Sequence, residues 1–343
     1  MSIRITSKAS AAAWERFVQE AKPPFSVSSD WAGFQVAAGN AGIPTFGLQD
    51  DEVQLASWVF RLRMRFGLSQ LRATFSPWFH PDVFKNEALF EELFRSWLQS
   101  VRSHAASTDA FVRVEPGVEQ GTQNALMYTR VLERLGAKPA SRNPSPQHTH
   151  IVDCSLSDEE LMKDMHPKTR YNIRLSLKKG VVVKCDTSRE ALERFLLLHH
   201  ETTSRQGFSG HHDAYYRTMR DTLAPSGMLE LFVAEHEGQA LAGALVAFTP
   251  TRATYLHGAS TSEKRKLMAP HALHIDIIRA ARERGCSEYD FWGVAPPDAG
   301  PEHPWAGVSR FKRGFGGRDV SYLPAYDVPL RPLLTQLVHL LGK

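Results

Sequence analysis

The sequence has no run of about eighteen apolar residues, the length that a membrane-spanning helix requires. Residues 1–22 also lack the basic, apolar and small-residue order of a signal peptide. We therefore expect a cytoplasmic protein without a transmembrane segment. Residues 330–341 are predicted to form a helix with one apolar side, so peripheral contact at the inner face of the membrane stays open beside ordinary packing.

Cysteine is scarce: Cys154, Cys185 and Cys286 lie far apart, without metal-ligand spacing, and are expected to be reduced core thiols. The His-His pairs at 199–200 and 211–212 have no carboxylate or second histidine in helical register. No serine or cysteine occupies a nucleophile elbow. The sequence thus predicts neither a metal site nor a covalent acyl-enzyme.

Hydrophobic residues make up 42% of the 343 positions and charged residues 23%, as in soluble globular proteins with room for two domains. Strands, a long helix, a strand and a helix are predicted over residues 1–148, and the same order recurs after the polar, proline-containing segment 141–146. We therefore expect an α/β protein with domains at 1–148 and 149–317. Residues 318–343 could complete the first domain.

Some local predictions bear on function. Residues 31–36 are predicted to be extended, and residues 288–292 form a strand that Gly293 ends. Ser157 and Glu160 form a capping box that starts one helix reaching Gly180.

That helix belongs to a basic segment, because residues 163–184 hold seven Lys or Arg against one acid. Arg170, Arg174 and Lys178 are spaced i, i+4, i+8 and would share one helix face, where like charges repel. A bound polyanion would explain the pattern. A solvated basic face is the other interpretation, and spacing alone leaves both open.

The stretch H-P-W-A-G-V-S-R-F-K-R-G-F-G-G covers residues 303–317. Residues 311–313 are predicted to form a strand that leads into permissive glycine backbone. A lysine held on a rigid element beside such backbone suits the stabilisation of an anion or oxyanion. A basic edge strand with a glycine bulge is the simpler alternative.

The order hairpin, strand, helix, strand over residues 228–292 resembles the GNAT superfamily of acyltransferases. L-A-G-A-L-V-A-F, residues 241–248, resembles the central strand that splays from its neighbour to admit an acyl group. A member that uses acetyl-CoA would next show Gln/Arg-x-x-Gly-x-Gly/Ala, whose backbone N–H groups hold pyrophosphate. Here residues 261–270 are T-S-E-K-R-K-L-M-A-P, which argues against a CoA donor.

Two groups of motifs narrow this resemblance from the superfamily to one family. The first is residues 149–183, which contain H-P-K-T-R-Y-N-I-R. The second joins Y-L-H-G-A-S, M-A-P-H-A-L, Y-D-F-W-G-V and F-K-R-G-F-G-G. Together they resemble the FemX/FemAB family of peptidoglycan bridge-forming aminoacyltransferases. The resemblance implies two tandem GNAT-like domains, with mixed central sheets flanked by helices and no coiled-coil arm.

The resemblance also implies roles for single residues. Lys312 matches a lysine that stabilises the oxyanion and holds the tRNA end, with Phe311 shaping the acyl channel. Arg205, in T-T-S-R-Q-G-F, matches a residue that grips precursor phosphate, and Tyr255 matches the first aromatic of a Y-x-Y-G segment. His257 replaces the second tyrosine of that segment, so its hydrogen bond would depend on pH.

The first domain adds further implied residues. Glu115, in R-V-E-P, aligns with an acidic residue proposed as a base, although a salt bridge with Arg113 would also explain it. Near Trp31 many members carry a phosphate-binding lysine where this chain has Gln35. The remaining implied contacts are Tyr216 and Gly293 for substrate, and Arg170, Arg174, Lys178 and Arg313 for tRNA or phosphate.

The implied reaction moves an amino acid from aminoacyl-tRNA to the side-chain amine of the third stem-peptide residue in a UDP-linked or lipid-linked precursor. Aminoacyl-tRNA is then a co-substrate, and no cofactor is expected. One alternative is a GNAT-fold N-acyltransferase that uses CoA or another acyl carrier on a surface polysaccharide. A second is a non-catalytic module that binds nucleic acid or precursor.

Overall fold

The structure is a computed structural model that describes residues 3–207 and 210–341. In chain order, the strands within those ranges are β1 (Ile3–Thr6), β2 (Ala41–Gln49), β3 (Glu52–Arg63), β4 (Ser69–Thr74), β5 (Trp78–Phe79), β6 (Asp109–Glu115), β7 (Lys138–Pro139), β8 (His148–Asp153), β9 (Val182–Cys185), β10 (Leu229–His236), β11 (Gln239–Phe248), β12 (Arg252–Ser260), β13 (Glu288–Gly293), β14 (Arg318–Ser321) and β15 (Tyr326–Pro329).

The helices within the same ranges are α1 (Ala11–Ala21), α2 (Ser29–Ala37), α3 (Glu87–Ser103), α4 (Gln123–Arg134), α5 (Asp158–Asp164), α6 (Pro167–Lys178), α7 (Arg189–Gln206), α8 (Asp213–Leu223), α9 (Ala269–Glu283), α10 (Ala306–Arg313) and α11 (Pro332–Leu341). Backbone contacts divide the chain into two units, residues 1–147 with 321–343 and residues 148–320. In the described residues no helix has the length and apolar character that crossing a membrane requires.

The first unit is built on a sheet with the order β1-β2-β3-β4-β6-β15-β7, and β5 pairs with β3. Strands β4 and β6 run parallel, whereas β6 and β15 run antiparallel, so the sheet is mixed as expected. Helix α3 buries one face against it through Phe90, Phe94 and Trp97. Their spacing of four and three residues is the helical period that predicts this element from sequence.

The predicted extended segment at 31–36 is wrong, because these residues belong to helix α2. The Ser28 hydroxyl accepts the backbone N–H of Trp31 at 3.1 Å and caps the helix. Trp31 and Phe34, three residues apart, place their rings 5.1 Å apart on one side. The cap and the i, i+3 ring pair favour a helix over a strand here.

The second unit has a sheet with the order β14-β8-β13-β12-β11-β10-β9. Helix α9 packs on it through Leu273, Ile277 and Ile278, in a core shared with Phe291 and Phe315. Strand β11, the predicted central strand, is buried from Leu241 to Phe248, as a strand covered on both faces should be. Mixed sheets flanked by helices therefore occur in both units, as the sequence predicts.

The splayed pair of strands is not the one predicted. Strands β11 and β12 stay paired along their length, from Phe248 opposite Ala253 to Ala242 opposite Ser260. These two strands therefore do not separate. The opening lies between β12 and β13, whose parallel pairing ends at Thr254 and Asp290 while both strands continue. A parallel pair with unpaired ends leaves backbone groups and space for other partners, and the candidate site lies there.

Two further predictions are wrong in detail. The single basic helix is two helices, because Pro167 lacks the N–H to continue α5 and instead begins α6. The predicted strand at 311–313 is the last turn of helix α10. In α10 Ser309 and Lys312, three residues apart, are buried while Arg310 and Arg313 are exposed, a helical pattern that the glycine-rich flank obscures.

Candidate active site

Lys312 is the buried cation of the second unit, with 6% of its surface exposed. Its Nζ donates to the carbonyl oxygen of Gly293 at 2.7 Å, at the end of β13. Helix α10 is fixed to the same segment twice more, since Ala295 donates its N–H to the Ser309 hydroxyl at 2.7 Å and Arg313 donates to the Ala295 carbonyl at 2.9 Å. These bonds hold the amine at the opening between β12 and β13.

The surroundings of Lys312 are mostly aromatic. Its Nζ lies 5.6 Å from the ring centre of Tyr255 on β12. The ring centres of His274 and Phe311 lie 5.5 Å apart. Nδ1 of His274 forms a hydrogen bond of 2.8 Å with the Tyr289 hydroxyl. Burial lowers the pKa of Lys312 to about 8 against the opposing charge of Asp290. The amine is thus mostly protonated at neutral pH but can lose its proton slightly above it.

A central cavity of about 520 Å³ is lined by ring neighbours of this lysine, whereas Lys312 itself is not among its lining residues. Its walls include Tyr255 on β12, His274 on α9 and Phe311 on α10, and Arg205 stands among its lining residues. The Arg205 guanidinium donates to the Ser260 carbonyl at 3.0 Å and pairs with Glu201, so it is held in place at this cavity. The cavity therefore combines an apolar interior with a fixed cation.

Glycine at position 258 is required beside Tyr255. A Cβ atom built there would coincide with the Tyr255 hydroxyl, so no side chain fits while the tyrosine keeps its place. Burial raises the pKa of Tyr255 to about 12, and the hydroxyl stays protonated as a hydrogen-bond donor. The Y-L-H-G segment thus owes its glycine to close packing.

A basic cavity of about 740 Å³ lies between the start of α6 and helix α10. It shares His271 and Phe311 with the central cavity, so those two rings stand between the two spaces. Lys168 and Arg310 line it, and in the described part of the chain neither forms an ion pair. Asn172, 6% exposed, places Nδ2 3.1 Å from Nε2 of His271 at its wall.

An imidazole cavity of about 390 Å³ adjoins Gly258 on the other side and is lined by His199, His211, Tyr216 and His257. The Tyr216 hydroxyl lies 3.0 Å from Nε2 of His199. Burial and the neighbouring histidines lower the pKa of His257 to about 3. The expected pH dependence at His257 therefore falls far below neutral pH, and the ring is uncharged there.

The structure gives other partners to several predicted site residues. Arg170 donates to the carbonyl oxygens of Met162, at 3.1 Å, and Met165, so it closes the end of α5. Arg313 pairs with Asp319 at 2.8 Å. Arg174 and Lys178 are exposed on α6.

The predicted residues of the first unit have local partners as well. Glu115, 5% exposed, accepts from Arg72 at 2.7 Å and from the backbone N–H of Ser145 at 2.9 Å. Its partner is therefore Arg72, not Arg113. The Gln35 side chain accepts from Asn40 at 2.8 Å, and Trp31 packs on Phe25 and Phe34. Both carboxylate oxygens of Glu115 therefore already accept hydrogen bonds within the first unit.

Asp290, His274, Lys168 and Arg310 were not among the residues predicted from sequence. Asp290 stands inside Y-D-F-W-G, where a charged residue in an otherwise apolar strand was a usable signal. His274 follows M-A-P-H-A-L on the buried face of α9. Lys168 and Arg310 could not be paired from sequence, because only the fold brings α6 and α10 together.

Comparisons with known proteins identify a domain family, relatives and solved structures that are similar to this chain. A family model described as an acetyltransferase (GNAT) domain matches residues 166–313. The lipid II:glycine glycyltransferase of Staphylococcus aureus (strain USA300) is 26% identical, over 73% of this chain and 76% of that protein. The protein of the same name from Staphylococcus haemolyticus (strain JCSC1435) is 25% identical, over 74% and 75%.

Solved structures extend the similarity to the whole fold. The crystal structure of FemX covers 98% of this chain and 100% of its own, with a TM-score of 0.86 and 20% identity. A tandem GNAT protein from the clavulanic acid biosynthesis pathway covers 96% and 99%, with a TM-score of 0.59 and 14% identity. The expected architecture of two GNAT-like domains in tandem is thereby confirmed.

Proposed function

We propose that the chain is an aminoacyltransferase of the FemABX type that builds a peptidoglycan interpeptide bridge, because its relatives and its tandem GNAT-like fold are similar to that family. The donor is aminoacyl-tRNA, and the acceptor is the side-chain amine of the third stem-peptide residue in a UDP-linked or lipid-linked precursor. The relatives named lipid II:glycine glycyltransferase support a cell-wall precursor as acceptor. The observation that carries the proposal is the buried Lys312 ammonium at the β12–β13 opening.

The reaction asks for little covalent chemistry from the protein. The acceptor amine attacks the carbonyl carbon of the aminoacyl ester, a C–N bond forms, and the negative charge moves to the carbonyl oxygen. Collapse of this intermediate breaks the C–O bond to the ribose, and the proton released by the amine leaves with the ribose oxygen or solvent. The ammonium of Lys312 stabilises the oxyanion, where a cation away from bulk water acts most strongly.

The three adjoining cavities suggest where each substrate lies. The 3′ end of the donor occupies the basic cavity, next to Phe311, and its aminoacyl group extends into the central cavity. Arg205 at the central cavity then contacts precursor phosphate, for which the arginine fork is well suited. Tyr216 and His257 face the acceptor from the imidazole cavity. The reaction needs no cofactor.

A mass-spectrometric transfer assay tests the proposal. Purified protein receives a mixed pool of aminoacyl-tRNAs with UDP-linked or lipid-linked pentapeptide, and a parallel reaction receives acetyl-CoA as donor. We expect a mass gain of one amino acid on the precursor that disappears when the tRNA is deacylated. An acetyl gain from acetyl-CoA with no gain from tRNA would instead support the CoA alternative.

Removing the two unpaired cations of the basic cavity should weaken donor binding. In Lys168→Gln/Arg310→Gln we expect the KM for aminoacyl-tRNA to rise about tenfold, with kcat little changed, since each lost phosphate contact removes part of the counterion release. The slope of log KM against log salt should also decrease by about 1 to 2. Transfer kinetics at several salt concentrations provide the measurement.

Arg174→Gln/Lys178→Gln is the matched comparison, because it removes the same charge from the exposed face of α6. These two residues remain predicted tRNA contacts, and we expect a smaller rise in KM from them. Equal effects of the two double variants would show that net charge, and not the basic cavity, attracts the donor.

A further inference from the structure

Asp290 is a buried carboxylate on β13, with 1% of its surface exposed. Its Oδ1 accepts the hydroxyl of Thr149 and the backbone N–H of Trp292, the latter at 2.8 Å. Nη1 of Arg252 lies 3.9 Å from Oδ2. Burial raises the pKa of this carboxyl above its usual value, whereas these three groups are all donors and favour its ionised form.

The bond to Trp292 shapes the end of β13. Trp292 has a φ of 61°, a left-handed conformation that a bulky side chain rarely adopts. The pairing of β13 with β8 shifts between Asp290 and Gly293, so the strand bulges at this point. Directly after the bulge, the Gly293 carbonyl oxygen meets Lys312 Nζ at 2.7 Å. The carboxylate therefore holds the turn that aims this carbonyl at the lysine.

Asp290 is also the negative charge near Lys312. The other titratable groups that face the lysine are Tyr255 on β12 and His274 on α9. His274 is hydrogen-bonded to the Tyr289 hydroxyl. The pKa of Tyr255 is raised to about 12 and that of His274 is far below its usual value, both mainly by burial, so neither ring is charged at neutral pH. Arg252 is shared between two carboxylates, since it lies 3.9 Å from Oδ2 of Asp290 and pairs with Glu288 at 2.6 Å.

We propose that Asp290 is a positioning residue for Lys312: its carboxylate holds the β13 bulge that presents the Gly293 carbonyl, and its charge keeps the lysine ammonium protonated in a buried site. This inference rests on the proposed function, in which the protonated lysine stabilises the oxyanion. Asp290 acts through Lys312 and through the backbone, and it does not touch the reacting atoms.

Asp290→Asn separates charge from shape, because the amide oxygen can still accept from Thr149 and Trp292. Titration of the carbon-13 Cε resonance of Lys312, assigned by its loss in Lys312→Met, reads the amine directly. We expect its pKa to fall from about 8 by roughly 1 or more in Asp290→Asn. The high-pH limb of the transfer rate should move down equally, so that a fall of 1 in the pKa gives a loss of about fivefold at pH 8, about tenfold above pH 9 and less than twofold below pH 7.

Glu288→Gln is the matched control, because Glu288 lies two residues earlier on β13 and pairs with the same Arg252 at 2.6 Å. We expect it to leave the Lys312 titration and the pH profile unchanged. If Asp290→Asn does not fold, it is combined with Trp292→Gly, because glycine adopts the positive φ at position 292 without the hydrogen bond to Asp290. A lower Lys312 pKa that persists in this double variant would assign the effect to charge.

The two proposals fail in different ways. A Lys312 resonance that titrates identically in wild type and Asp290→Asn would overturn the positioning of Lys312 by Asp290, even if the wild type transfers amino acids. A shifted titration in a protein that transfers nothing from aminoacyl-tRNA would overturn the proposed function and leave the coupling between Asp290 and Lys312 in place.

Discussion

Lys312→Met should lower the rate constant for amino-acid transfer by about 10²- to 10³-fold, the loss typical of removing one oxyanion-stabilising donor. Methionine fills nearly the same volume as Lys312, which is 6% exposed, but its side chain has no charge and no hydrogen-bond donor. In the proposed arrangement the basic cavity and Arg205 supply most of the contacts to tRNA and precursor, so KM should change little. Single-turnover transfer with saturating donor measures the rate constant without product release.

Lys179→Met is a suitable control, since Lys179 is an exposed lysine of the same unit that directly follows α6. It should transfer at the wild-type rate. Thermal unfolding of both variants checks that the fold is intact. If Lys312→Met kept its rate within about threefold of wild type, the oxyanion would have to be stabilised by another group, and the site would need to be reassigned.

The sequence predicted the two-domain architecture and the main helices because these depend on long, periodic patterns. Helix α3 repeats its buried residues over 17 positions, and the capping box of Ser157 and Glu160 forms as expected. Such signals are local and redundant, so a few misleading residues do not hide them.

The errors came where one or two residues decide the local structure. Glycines after Arg313 suggested a strand and a bulge, whereas the buried positions of Ser309 and Lys312 make the segment helical. Likewise the opening was assigned to β11, although only pairing partners show that β12 and β13 separate after Thr254. Strand pairing is a long-range property, and a single sequence contains little information about it.

The residues of the candidate site also differ in how far local sequence could predict them. Residues within one motif, such as Phe311 and Lys312, could be predicted together because they are adjacent in sequence. Asp290 and Lys312 are 22 positions apart in sequence, and their relation depends on the bulge at Trp292, which no residue pattern indicates. Asp290 could therefore be recognised as unusual from sequence, but its partner could not.

The ion pair of Arg113 and Asp327 shows the same dependence on long-range contacts, and its loss should have a large effect on stability. Arg113 on β6 donates twice to Asp327 on β15, at 2.7 and 2.9 Å, and their side chains are 8% and 1% exposed. Nε2 of His339, on α11, lies 2.9 Å from the same carboxylate. Asp327 therefore joins the C-terminal strand and helix to the sheet of the first unit.

In Arg113→Met the buried Asp327 carboxylate loses both guanidinium bonds, which should cost about 3 to 5 kcal/mol of the free energy of unfolding of the first unit. Hydrogen exchange of β6 and β15, followed by mass spectrometry, measures this locally. Arg16→Met removes an arginine from an equally well-formed pair with Glu52, but those side chains are 50% and 48% exposed, and we expect a change below about 1 kcal/mol.

A third variant distinguishes the net stability that the ion pair contributes from the free-energy cost of leaving one buried charge unpaired. Arg113→Met/Asp327→Leu removes both charges and fills the space with apolar atoms, so it should recover most of the stability that Arg113→Met loses. If the double variant were as unstable as Arg113→Met, the arginine would be contributing through packing on Phe111, whose ring centre lies 5.3 Å from its guanidinium carbon. Burial of the carboxylate explains the loss only if the double variant recovers.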